Sequence, residues 1–165
     1  MNCPLVTVLI PVYNHENYVT ESILSVLKQT YSNIELIVVN DGSTDKSHTV
    51  ISSLLEQYRF KYYNQQNIGL IATIEKYRLL AQGKYISILA SDDLLCDSKV
   101  ELLVAELEKS GNAMAYANST MINSKNEIIG THRVNGRSGQ IFNELLLGQI
   151  FINALTTLVR TSVYN

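Results

Sequence analysis

Short apolar runs and helical periodicities alternate along the first two thirds of the chain. Val6–Val12 is a continuous, largely β-branched run with the length of a buried strand. From Val19 the apolar positions fall at Val19, Ile23, Val26 and Leu27, one face of an amphipathic helix, with Asn17 placed to cap it. Ile34–Asn40 is a second β-branched run. Val50, Ile51, Leu54, Leu55 and Tyr58 trace a second helix, for which Asp45 is the expected cap. Phe60–Tyr63 is a weaker strand. Leu70, Ile74, Tyr77 and Ala81 mark a third helix, with Gly83 just beyond its expected end. Tyr85–Leu89 is a fourth strand. Val100, Leu103, Val104 and Leu107 give a fourth helix that stops before Gly111, and Ala113–Ala117 reads as a fifth strand.

Strands that alternate with helices predict a mostly parallel sheet, covered on both faces and doubly wound. The rhythm breaks after Asn118. Met121-Ile122 and Ile128-Ile129 flank a turn-forming Asn123-Ser124-Lys125-Asn126, the pattern of a hairpin. Thr131–Gln140, with Gly136 and Gly139, reads as a loop. A short helix around Ile141–Leu147 and one further apolar segment complete the chain. With no linker, repeat or charge block, residues 1–165 read as a single domain, divided by the change of rhythm into 1–118 and 119–165.

The composition narrows the class. The 165 residues are 46% hydrophobic and 17% charged, which is globular and excludes a disordered or collagen-like chain. A net charge of −2 argues against broad binding to nucleic acid or to an anionic membrane. Cys3 and Cys96 are the only cysteines, too few and too far apart for a disulfide framework or a zinc site. No run approaches the ~18 apolar residues of a transmembrane helix, and the N-terminus lacks the basic flank of a signal peptide. A reducing cytoplasm is the expected setting.

In doubly wound sheets ligands bind beyond the carboxyl ends of the strands, where the strand order reverses. Four polar sets follow strands in this sequence: Tyr13-Asn14, then Asn40-Asp41-Gly42-Ser43-Thr44-Asp45, then Asn64, Asn67 and Gly69, then Ser91-Asp92-Asp93. Each has a plain structural reading: Asp41-Gly42 as a turn, Asp45 as a cap, Asp92-Asp93 as a loop before a helix. Two adjacent carboxylates repel unless a cation offsets them. Neither the dinucleotide fingerprint nor the Gly-rich phosphate loop is present. A diphosphate bound here would need a metal to carry its charge, and carboxylate oxygens suit Mg²⁺ or Mn²⁺. His15, His48 and His132 lie far apart without cysteines and read as solvated or hydrogen-bonded imidazoles. Tyr13, at a strand end, is the one tyrosine placed to flank a base.

The ordered set Val6–Asn14, Gln29–Asp45, Asn67-Ile68-Gly69, Gly83–Ile86 and Ser91-Asp92-Asp93 resembles the family 2 glycosyltransferases of the GT-A, Rossmann-like fold. The resemblance runs from about Val6 to Leu95. It implies a nucleotide-diphospho-sugar donor, most simply a UDP-sugar, inversion at the anomeric carbon, and a saccharide or lipid-linked acceptor in cell-surface polysaccharide synthesis. By the same resemblance Pro11, Val12, Tyr13, Asn14 and Asp41 hold the nucleoside. Asn67, Gly69, Ser91 and Asp92 complete the nucleotide set, and Asp92 and Asp93 hold Mn²⁺ or Mg²⁺. An ionised Asp41 suits the uracil N3–H, a donor. The implied setting is the cytoplasm, with peripheral contact at the inner face of the membrane.

Two departures from the family pattern stand out. Ala90 occupies a position that often carries a further Asp, and Ile74-Glu75 occupies that of an Arg-Asn pair. Inverting transfer also needs a general base. The resemblance puts it past Asn165, so 1–118 reads as the nucleotide-sugar-binding half and 119–165 as the start of an acceptor half. The alternative is a nucleotide-sugar-binding module without turnover. Of the late carboxylates, Glu101, Glu106, Glu108, Glu127 and Glu144, only Glu144 is near the last apolar segment.

Overall fold

The computed structural model describes residues 3–134 and 137–164. A six-stranded sheet carries the fold. Its first strands and helices alternate as β1 (Val6–Val12), α1 (Val19–Leu27), β2 (Ile34–Asp41), α2 (Ser47–Leu55), β3 (Lys61–Gln65), α3 (Leu70–Arg78), β4 (Tyr85–Ile88) and α4 (Lys99–Ser110). Then come β5 (Met114–Tyr116), β6 (Ser119–Ile122), β7 (Ile128–His132), α5 (Phe142–Leu146), a 3-10 turn (Ala154–Thr156) and β8 (Thr157–Arg160). The strand order is β3-β2-β1-β4-β8-β5, and β6 and β7 form a separate hairpin.

The β1 side chains explain why helices cover both faces. Val6, Val8, Ile10 and Val12 join one core with Val19, Ile23 and Val26 of α1, Ile51 of α2 and Val100 to Leu107 of α4. Leu9 points to the other face, where Ile37, Val39 and Tyr77 of α3 meet it. Burying one such aliphatic side chain contributes roughly 1.5–3 kcal/mol. A strand buried on both faces carries no polar alternation, which is why β1 reads as a continuous apolar run.

β1 pairs in parallel with β2 from Val6↔Ile34 to Val12↔Asn40, and on its other side with β4 from Val6↔Tyr85 to Leu9↔Ile88. The chain therefore leaves β1 in one direction and returns on the opposite side. That reversal opens a crevice between the carboxyl ends of β1 and β4.

The alternation of the first five strands and four helices matches the sequence reading, and so does the hairpin. Four details differ. Ala113–Ala117 was expected to extend the parallel sheet directly. β8 instead lies between β4 and β5, antiparallel to both. Leu158 buries itself there, and Arg160 donates to the Leu107 and Asn112 carbonyls at 2.8 and 2.7 Å, closing the end of α4. The expected loop Thr131–Gln140 begins two residues later, because Thr131 and His132 still pair with Thr120 and Ser119; Gly136 lies outside the described residues. Asn17 does not cap α1. The helix starts after Tyr18, which makes no side-chain cap, and His15 O accepts the first amides. Gly83 does not end α3, which stops at Arg78. Gly83 is buried with its amide on Thr7 Oγ1 at 3.0 Å, and a Cβ there would stand 2.5 Å from the Thr7 amide. Close backbone approach, not helix capping, explains that glycine.

The end of the sheet opposite the crevice is closed by Glu35. It accepts from Thr7 Oγ1 at 2.5 Å, Lys61 Nζ at 2.5 Å and the Gln82 amide at 2.9 Å. Burial alone would raise its pKa, but the Gln82, Lys61 and Thr7 donors outweigh it, so the net shift is downward. A carboxylate with a depressed folded pKa stabilises the fold above its unfolded value and loses that contribution as pH falls through the folded one. Acid titration of stability is therefore expected to show a steeper decline below about pH 5 in the native chain than in Glu35→Gln. At neutral pH the variant is expected to be less stable by about 1–3 kcal/mol, the cost of unmade hydrogen bonds to a buried charge. Parallel pH profiles of the two proteins would exclude this role for Glu35.

Candidate functional site

Four loops meet at the carboxyl ends of β1, β2, β3 and β4, and the chain stitches them together with side chains. Asn14 has a positive φ of 56°, a conformation Asn tolerates better than most residues. Its Oδ1 accepts the Thr44 amide at 2.8 Å, and its own amide donates to Ser43 Oγ at 3.0 Å. Two residues on, the Glu16 amide donates to Asp45 Oδ2 at 2.9 Å while the Lys46 amide donates to Glu16 Oε2 at 2.6 Å. Asp45 Oδ1 also takes the Ser47 amide at 2.9 Å; it is not the cap that was expected, since Lys46 holds that position, but it ties down the start of α2 from one residue earlier. Tyr13 is left at the tip of this clasp with 48% of its surface exposed.

Asp41 is the last residue of β2 and is 3% exposed. Its Oδ1 accepts the Ile68 amide at 3.0 Å and Gln65 Nε2 at 2.8 Å, and its Oδ2 accepts the Gly69 amide at 3.0 Å. Burial opposes its charge, but these donors together with Thr73 prevail and hold its pKa below the ordinary carboxylate value. Asp41 is thus an ionised acceptor that shapes the Asn67-Ile68-Gly69 turn, with lone-pair capacity remaining on Oδ2. Gly69 turns there with φ 87°. Gly42 lies so close beneath that a Cβ would stand 2.5 Å from the Asn67 amide. Asn67 is exposed, while Pro11 and Val12 are buried in β1. Those two support the site from below.

α1 fixes the fourth loop. Gln29, at its end, donates from Nε2 to Cys96 O at 2.8 Å and accepts the Val100 amide on Oε1 at 3.1 Å. Ser25 Oγ accepts the Leu95 amide at 3.1 Å. The Ala90 carbonyl accepts from Ser22 Oγ and from the Asp93 amide. Ser91 is 2% exposed. Asp92 stands out from this frame with 49% of its side chain exposed, Oδ1 lying 4.0 Å from His15 Nδ1. Asp93 is half-buried, and burial together with the Asp92 carboxylate pushes its pKa up.

Among the described residues no three His, Cys, Asp or Glu side chains converge on one point. Mg²⁺ and comparable hard cations bind through one or two carboxylates plus substrate phosphates and water. The Asp92-Asp93 pair fits such an ion when a diphosphate completes its shell.

Three residues belong to this neighbourhood that the sequence did not single out. His15 joins the β1 and β4 loops through Nδ1, 2.7 Å from Ser91 Oγ. Gln65 reaches both Asp41 and Thr73 Oγ1. Lys99 donates to Leu155 O at 2.7 Å beside Asp93, and burial lowers its pKa to about 8 against the opposing pull of Cys96 and Asp93. Only His15 carried a signal, its place directly after Tyr13-Asn14. His48 bonds Tyr62 OH at 2.7 Å, as a hydrogen-bonded imidazole should. The late carboxylates have local roles: Glu101 accepts from Thr30, Glu108 from Lys84, Glu127 from Asn123, and Glu144 faces Arg137 at 3.5 Å, while Glu106 is exposed on α4.

A parallel-dominated sheet with its polar loops gathered at the β1 reversal is the architecture of an α/β domain of the GT-A type. The sequence matches the Glycosyl transferase family 2 profile over residues 7–163, and the chain belongs to that family. It is 35% identical to an uncharacterized glycosyltransferase of Haemophilus influenzae across 99% of this chain and 54% of that protein. It is 34% identical to glycosyltransferase GlyG of Streptococcus pneumoniae across 69% of this chain and 38% of that protein. The chain thus spans about half, or less, of the length of these relatives. Among solved structures, S. aureus TarS 1-349 in complex with UDP-GlcNAc superposes with a TM-score of 0.74 at 19% identity, over 96% of this chain and 46% of that one. The mannosyltransferase PcManGT from Pyrobaculum calidifontis, in complex with GDP-Man and Mn²⁺, gives 0.65 at 20% identity, over 74% and 37%. At these identities the structures establish the fold.

Proposed function

We propose that this chain binds the nucleotide-diphospho-sugar donor of an inverting glycosyltransferase that acts in cell-surface polysaccharide synthesis. The observation that carries the reading is the convergence of Tyr13, Asp41 and Asp92 on one edge of the sheet, at the strand-order reversal. Tyr13 offers a ring face for the base. Asp41 Oδ2 offers an acceptor for the uracil N3–H, which favours a UDP-sugar over a cytidine nucleotide, whose N3 is itself an acceptor. Ser91, Asn67 and the Gly69 turn line the ribose side. Asp92 and Asp93 hold Mn²⁺ or Mg²⁺ against the diphosphate. Such an ion supplies charge stabilisation of the leaving diphosphate when bound. The clasp of Asn14–Glu16 with Ser43–Ser47 keeps the donor loops ordered before the ligand arrives, which lowers the entropic cost of binding. The acceptor, a saccharide or a lipid-linked saccharide, approaches past β4 along the β8 and β5 side of the edge. Among the described residues no helix is long and apolar enough to cross a membrane; the setting we propose is cytoplasmic, with peripheral membrane contact.

Thermal shift across nucleotides and nucleotide sugars, with and without Mn²⁺, tests the reading. Ligands that bind the native state raise the melting temperature by mass action. UDP and UDP-sugars with Mn²⁺ are expected to give the largest rise. A uniform response to all nucleotides, or none, would remove the basis for a uridine donor.

A further inference from the structure

A second concave surface lies beyond β8. It encloses about 170 Å³ and is walled by His132, Arg133 and Arg137 on one side and by Gln149, Ile150 and Phe151 on the other. The topology fixes which edge it occupies. β4 and β5 each pair antiparallel with β8, so they run in the same direction and end on the same edge. The first wall is pinned to the residues at the end of β5. Asn118 Oδ1 accepts the Val134 amide at 3.0 Å, and Tyr116 OH accepts the Arg137 amide at 3.1 Å while donating to its carbonyl at 2.7 Å. The second wall leads into the 3-10 turn before β8, and the Lys99–Leu155 hydrogen bond ties that turn to the start of α4, just after the Asp92-Asp93 loop. The cavity therefore neighbours the donor site along one edge of the sheet.

Its chemistry differs from that of the donor site. Among the described residues, its lining holds two guanidiniums and no carboxylate. Arg137 Nη1 lies 3.5 Å from Glu144 Oε1, whereas Arg133 makes no hydrogen bond or ion pair among the described residues. His132 Nδ1 is the one buried side-chain polar atom without a partner among the described residues. A buried polar atom left unpaired costs about 1–3 kcal/mol, and each such atom in a native fold calls for a physical reason. The imidazole packs edge-on against Phe151, with ring centroids 5.6 Å apart. Two guanidiniums, with an imidazole and an aromatic ring beside them in the lining, together suit an anionic sugar derivative. The guanidinium fork matches carboxylate and phosphate oxygens alike.

We propose that this cavity is an oxyanion subsite of the acceptor, holding a phosphate or carboxylate group while the acceptor hydroxyl faces the donor. The proposal rests on the donor reading above for its functional meaning, but the binding it asserts does not depend on that reading.

The test follows the ring nitrogens of His132 by NMR in the ¹⁵N-labelled chain, without metal, so that phosphate has no cation to join at Asp92. Inorganic phosphate is the first probe. Glycerol phosphate and methyl glucuronide follow, to separate a phosphate-bearing from a carboxylate-bearing acceptor. A saturable shift of the His132 signals is expected with phosphate and with one of the two organic probes. The midpoint is expected to rise at least tenfold in the double variant Arg133→Gln, Arg137→Gln. UDP–Mn²⁺ affinity, measured on the same variant, is expected to be unchanged and reports that the fold is intact. No saturable shift in the native chain, or an equal midpoint in the double variant, overturns the subsite. A native chain that titrates with phosphate at His132 but binds no UDP–Mn²⁺ supports the subsite and overturns the donor reading instead.

Discussion

Replacing Asp92 by Asn is expected to raise the dissociation constant of UDP in Mn²⁺ by about 10–100-fold, or roughly 1.4–2.7 kcal/mol, and to erase the difference between titrations with and without the ion. The range is that measured when only an outer partner of a metal ligand is lost, so it is a lower bound for a ligand itself. Asp92 is singled out because its carboxylate is half-exposed at the crevice. Asp93 is more enclosed, and its field is shared with Lys99. Asp93→Asn is therefore expected to weaken metal dependence less than Asp92→Asn does and to alter mainly stability or the ribose contact. Calorimetric titration of both variants with UDP, with and without Mn²⁺, separates them. Equal and negligible effects would reduce the pair to a loop before α4.

The second large effect is expected at Asp41, and it should appear in two measurements at once. Asp41→Ala orphans the Ile68 amide and removes one of two acceptors from Gln65 Nε2, which keeps Thr73 Oγ1, and from the Gly69 amide, which keeps Asn67 Oδ1. A buried donor left without a partner costs about 1–3 kcal/mol, and solvent reaching the exposed turn offsets the two weakened bonds, so a loss of about 1–3 kcal/mol of stability is expected. Nucleotide affinity should fall by about 1.5–3 kcal/mol, the scale of a hydrogen bond to a charged group. Asp41→Asn distinguishes the two roles, since it keeps one carbonyl acceptor but adds a donor where the base N–H would lie. It is expected to restore most of the stability and little of the affinity. Full affinity in Asp41→Asn would assign Asp41 to shaping the Asn67–Gly69 turn alone.

The parts of this fold legible in the sequence share one physical cause. β1, β2 and β4 are buried on both faces, so their positions show as apolar runs, and α1 and α4 each bury one stripe, so their period shows. The polar residues that end those strands could then be assigned to one edge by topology alone. β8 was not legible as a sheet strand because Thr157–Arg160 reads as an ordinary mixed segment; its place between β4 and β5 is set by long-range pairing and by the Arg160 bonds to the end of α4. Gly83 was misread for a related reason. A glycine after a helix signals a cap, whereas this one answers to Thr7, distant in sequence but adjacent in space. At the site, residue type pointed to Asp41, Asp92 and Asp93. It gave no sign that Asp41 spends three of its acceptor contacts on its own chain, or that Gln65 and Lys99 stand beside the carboxylates, because such contacts exist only once β1, β2, β3 and β4 are side by side.

The most direct measurement of the central claim is a crystal structure of the chain with a UDP-sugar and Mn²⁺. The expected density places the uracil between Tyr13 and Asp41, the ribose against Ser91 and the Asn67–Gly69 turn, and the diphosphate with its ion at Asp92. Nucleotide bound at the opposite end of the sheet, near Glu35, or Mn²⁺ held away from both Asp92 and Asp93, would contradict it.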